Sequence, residues 1–148
     1  MERAVDLEGW ARTGAVRWRF PGGHEHLWDR ARRVARVRWG DAEALIREGP
    51  SGRAYRGGRE VHGEDARELL ETAYAHWIND SFWLNPIAKM RDEGVTRAIV
   101  RLEDGSEGLL VSYASGGLTP GDAYLWIAGE DGLAREWRLW VSVIPVGA

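Results

Sequence analysis

The sequence contains no cysteine. Disulfides, thiolate metal sites and cysteine nucleophiles are therefore excluded, and the redox compartment stays open. Long hydrophobic runs are missing too. The uncharged C-terminal stretch "LWVSVIPVGA" has ten residues, too short to span a bilayer. The start, "MERAVDLEGW", lacks the apolar core of a signal peptide. The chain is thus expected to be cytoplasmic if complete, or trimmed of a leader. Without a Pro/Ser linker, low-complexity block or internal repeat, residues 1–148 are expected to form a single domain. The net charge of −3 argues against a general nucleic-acid partner.

The charge that is present is uneven. Residues 1–60 carry 13 arginines against 9 acids, and the remainder carries 7 basic residues against 14 acids. The densest basic run is "RARRVARVR", Arg30 to Arg38. It reads as the solvated face of a strand, because Arg36 and Arg38 alternate with Val37 and Trp39. A phosphate-binding stripe is the other reading.

Short strands dominate the first third. "GAVRWRF" alternates, with Val16, Trp18 and Phe20 on one face and Arg17 and Arg19 on the other. "HEHLWDR", "VARVRW" and "AEALIRE" follow, with a turn at Gly40–Asp41. "GRAYRGGREVHG" reads as a hairpin closed at Gly57–Gly58, two residues suited to a primed turn. The period then changes. Ala66, Leu69, Leu70, Ala73, Tyr74, Trp77 and Ile78 form one apolar stripe at helical spacing. Asp65 and Glu68 resemble a capping pair. In "AHWINDSFWLNPIAKM" the rings of Trp77, Phe82 and Trp83 crowd toward Pro86, which cannot continue a helix. Asn79, Asp80 and Ser81 are expected to hydrogen-bond local backbone at a break there. Four more strands follow: "VTRAIVRL", a central "EGLLVSYA", "AYLWIA" and "REWRLWVSVIPV" with Trp137, Leu139, Val141 and Val143 on one face. The fold class is α+β: a curved, unclosed antiparallel sheet with one main amphipathic helix covering its concave face.

Chemistry is sparse. "HEH" puts His24 and His26 on one face of a strand, a spacing compatible with metal ligation or acid–base work. A third ligand is not evident in sequence, since alternation turns Asp29 to the other face. Ser112, Ser115 and Ser142 lack a nucleophile elbow. "SGGLTPGD" leads into a strand, not a helix, so it is no phosphate cradle, and its Asp122 reads as a surface turn residue, with a buried Asp122 paired with an arginine as the other reading. Glu103–Asp104 and Glu130–Asp131 precede glycines, as turn carboxylates do. No catalytic residue, bound metal or cofactor is expected.

The blocks "HLWDR", "GRAYRGG", "ELLETAYAHWINDSFWL", "DEGVTR", "GLTPGDAYLWI" and "EWRLWVS", in that order, resemble the bacterial outer-membrane lipoprotein-sorting and lipoprotein-carrier proteins. The resemblance implies a half-barrel cavity lidded by helix, a periplasmic or cell-envelope location, and a non-enzymatic role binding a lipid, acyl or other apolar ligand. Tyr74, Trp77, Phe82 and Trp83, with Trp18 and Trp126 from the sheet, are the ligand-contacting residues on that reading. The alternative is that these rings plug the core. Nine tryptophans in 148 residues fit either a wide sheet that needs filling or an apolar pocket. Two other functions stay open: a small enzyme using the His24/His26 face, and an interaction module meeting an envelope protein or an anionic lipid through an edge strand or the Arg30–Arg38 run.

Overall fold

The computed structural model describes residues 1–47, 49–115 and 119–141. The fold is α+β, with two antiparallel sheets, neither closed into a barrel, and one main helix. The chain forms two compact units. One is Arg12–Leu84; the other joins Met1–Ala11 to Asn85–Ala148.

The Arg12–Leu84 unit is a meander of six strands in sequence order: β1 (Ala15–Phe20), β2 (His24–Asp29), β3 (Val34–Trp39), β4 (Ala42–Ile46), β5 (Gly52–Arg56) and β6 (Arg59–Val61). The turn between β5 and β6 uses Gly57 and Gly58 at φ 56° and 77°. Both angles lie in the left-handed region where a side chain is strained, and that is why two glycines stand there. Register sorts the side chains. Arg17, Arg19, Glu25, Arg36, Arg38 and Glu43 share one face, where Glu25 pairs with Arg19 and Arg38, and Glu43 with Arg38. The basic run is thus, in its strand part, the charged face of β3.

The other face is covered by α2 (Gly63–Leu84), which packs on β3, β4 and β5. Its floor is made of small residues: Ala35, Ala42, Ala44 and Ala54 are nearly inaccessible, and Ala73 of the helix is fully buried among them. Small side chains on both surfaces let the helix lie close. Val37 and Ile46 fill the floor, while Trp28, Trp39, Leu70, Tyr74 and Trp77 pack around it. The helix does not break at Asn79–Ser81. It runs to Leu84, and Asn85 then caps a 3-10 turn, Pro86–Lys89, by accepting from the Ala88 N–H at 3.2 Å. Of the three residues expected to bond local backbone, Ser81 does so, donating to the Ile78 carbonyl at 3.2 Å. Asp80 points elsewhere.

The second unit holds most of a short helix, α1 (Leu7–Arg12), and a four-stranded meander: β7 (Val95–Arg101), β8 (Glu107–Tyr113), β9 (Ala123–Ala128) and β10 (Ala134–Trp140). β8 lies between β7 and β9, as its apolar run leads one to expect. Val111, Tyr124, Leu125, Trp126, Ile87 and Met90 are buried here. Asp122 is buried rather than exposed, and its carboxylate accepts from the Thr119 hydroxyl at 2.6 Å. Asp104 and Asp131 are turn carboxylates, accepting from the backbone of Ser106 and Leu133. Val143 and Ser142 lie outside the described residues.

Candidate metal centre

On the helix-covered face of the six-stranded sheet, β2 presents His24 and His26 two residues apart. From above, α2 lowers Asp80. A single carboxylate oxygen, Oδ2, accepts from His24 Nδ1 at 2.9 Å and from His26 Nε2 at 2.7 Å. The other oxygen, Oδ1, accepts from the Asn79 side-chain amide at 2.9 Å. One ligand atom from each of His24, His26 and Asp80 lies within 4.8 Å of the others. Asp80 is the third group that the sequence did not reveal, because it is 54 residues from His26 and reaches the strand only through the packing of α2.

The cluster is enclosed. His26 and Asp80 are each only 1% exposed, while the His24 side chain keeps 21% of its surface open. The Trp18 ring stacks on His26 with centroids 4.5 Å apart and 13° between planes, and Phe20 stacks beside His24 at 6.3 Å. Burial pushes the His26 imidazole below its ordinary pKa, against the opposing pull of Asp80. The Nε2 lone pair becomes available to a cation when the proton it shares with Asp80 moves to Nδ1.

The charge balance is what sets this cluster apart. Among the described residues no lysine or arginine pairs with Asp80; its partners are two imidazoles and one amide. A buried carboxylate without a fixed cation is costly, and proteins resolve that cost by pairing or by metal coordination. Two histidines and one carboxylate converging on a point are a donor set for a borderline divalent ion such as zinc, or for iron(II) in an open site. One atom needs accounting. His26 Nδ1 is buried and has no hydrogen-bond partner. A metal on Nε2 would place a proton on Nδ1 with no acceptor, at about 1–3 kcal/mol. That is small beside the roughly 10–16 kcal/mol of apparent binding energy at structural zinc sites.

The rings expected to contact a ligand fall into four places. Tyr74 and Trp77 stack at 6.1 Å, with Trp77 edge-on to Trp28 at 5.4 Å, against the alanine floor. Trp18 lies over His26. Phe82 and Trp83 meet edge-on at 5.1 Å in the last turn of α2. Trp126 belongs to the other unit, where it stacks with Trp137 at 5.5 Å and lines a groove of about 490 Å³ with Arg97, Ile99 and Leu109.

No family model, curated protein or solved structure matches the chain. Among the described residues, no helix is long and apolar enough to cross a membrane.

Proposed function

We propose that the Arg12–Leu84 unit binds one divalent transition-metal ion through His24, His26 and Asp80. The observation that carries this reading is the buried Asp80 carboxylate, shared by two imidazoles and, among the described residues, paired with no fixed cation. A metal in place of the two bridging protons supplies the missing positive charge. It also ties α2 to β2, two elements that otherwise meet there through hydrogen bonds and ring contacts. The test is a thermal melt of the chelator-treated protein with and without added zinc. Zinc raises the midpoint on this account, and Asp80→Asn abolishes the rise. An equal rise in wild type and Asp80→Asn would locate the binding elsewhere.

A second reading, the binding of an acyl or other apolar ligand, is favoured by one feature: the groove beside Trp126, where Met90, Ile99 and Leu109 supply apolar wall and Arg97 a cation for a carboxylate head. Tryptophan emission that shifts on addition of a fatty acid, and stops shifting in Trp126→Leu, is the expected result. An envelope location and a non-enzymatic role belong to this second reading and rest on the resemblance alone.

A further inference from the structure

The three donors leave a divalent ion at least one position short of a tetrahedron. His76 lies beside these donors, against the His24 ring, although it is not one of the three whose ligand atoms lie within 4.8 Å of one another. It precedes Asp80 by four residues on α2, so both side chains leave the same face of the helix, and a helical side chain leans back toward the turn before it. Its ring lies on that of His24, with centroids 3.7 Å apart and a tilt of 32°. The edge contact with Trp39 at 5.5 Å is its other ring neighbour. Among the described residues nothing hydrogen-bonds the His76 ring, so packing alone sets its rotamer. His24 itself is wedged between His76 and Asp80, stacking on one and donating to the other.

We infer that His76 is the fourth ligand of a closed centre of three histidines and one aspartate, turning from its stack on His24 to coordinate the ion held by His24, His26 and Asp80. The inference rests on the metal-binding reading above and deepens it. A pair two apart on a strand and a pair four apart on a helix each put both side chains on one face. Opposed across the sheet–helix interface, they supply three imidazoles and one carboxylate. That set closes the coordination sphere of zinc or cobalt(II), so the ion serves as a resident cross-link between α2 and β2 rather than an exposed Lewis acid. It also accounts for a half-buried histidine on the sheet side of a helix that, among the described residues, has no polar partner of its own.

Cobalt(II) makes the distinction visible, because four-coordinate tetrahedral cobalt absorbs far more strongly in the visible than five- or six-coordinate cobalt. The full-length chain is stripped with chelator and titrated with cobalt(II). Wild type is expected to show intense tetrahedral bands at one ion per chain. His76→Ala is expected to keep one ion but lose the intense bands and about tenfold or more in affinity, at least the cost of removing an outer-shell partner. His76→Cys is the direct check. The chain has no cysteine of its own, so a new thiolate-to-cobalt charge-transfer band in the near ultraviolet, absent when Asp80→Asn is added, places position 76 on the metal. Identical spectra and affinities for wild type and His76→Ala, with no charge-transfer band in His76→Cys, would overturn the fourth ligand and leave the three-donor site standing. No cobalt bound by wild type would overturn both.

Discussion

At the scale of single residues, burial decides which histidine does what. His26 is sealed between Trp18 and Asp80, and its pKa lies below the ordinary value. His76 is shifted the same way, by burial first and by His24 second. The consequence for stability has a definite sign. A histidine whose folded pKa is depressed stays neutral in the native state while its unfolded form takes up a proton near about pH 6.5. Stability is then fully present above that value and falls as pH drops through it toward the folded pKa. The metal-free chain is expected to lose urea resistance between about pH 7.5 and about pH 5, and His26→Gln to flatten that slope. An unchanged slope in the variant would show that His26 does not titrate differently in the two states. His24 and His26 were legible as a pair from their spacing. Asp80 was not: its neighbours Asn79 and Ser81 are turn formers, and nothing local says that α2 continues past them and turns the carboxylate inward.

At the scale of elements, the approach of α2 to the sheet sets the geometry of the centre. Ala73 lies over Ala35, Val37, Ala44 and Ile46, and has no exposed surface. Ala73→Leu is expected to cost about 1–3 kcal/mol through overpacking. By pushing the helix away it also draws Asp80 from the histidines, so metal affinity falls although no ligand has changed. Ile46→Ala acts differently. It opens a cavity in the floor at a cost of about 2–5 kcal/mol, yet leaves the height of the helix unaltered. Parallel urea unfolding and zinc titration of the two variants separate these effects: both lose stability, and only Ala73→Leu loses affinity beyond what its stability explains. The strands were readable because alternation and turn glycines agree along each one. The helix was readable from its stripe. Its C-terminal reach was not, since three polar residues in the last turns imitate a stop.

At the scale of the whole molecule, the ten strands of the described residues divide into a meander of six and a meander of four. Alternation shows which residues share a face but not which strands share a sheet, so this partition was hidden in the sequence. Trp126 belongs to the unit of the smaller meander, and Trp18, Tyr74, Trp77, Phe82 and Trp83 to the unit of the larger. Metal binding adds a cross-link within the larger unit. At about 100-fold its dissociation constant, a ligand of the native state adds about 2.7 kcal/mol. For a chain of this size that raises the melting midpoint by about 5–10 °C, with chelator reversing the gain.

Isothermal titration of the stripped full-length chain with zinc, run side by side with Asp80→Asn and His26→Ala, decides whether His24, His26 and Asp80 hold a metal. The account predicts one ion per wild-type chain, and affinity lower by about 100-fold or more in each variant, beyond the range for an outer-shell partner. No heat of binding in wild type, or the same isotherm for all three proteins, would contradict it.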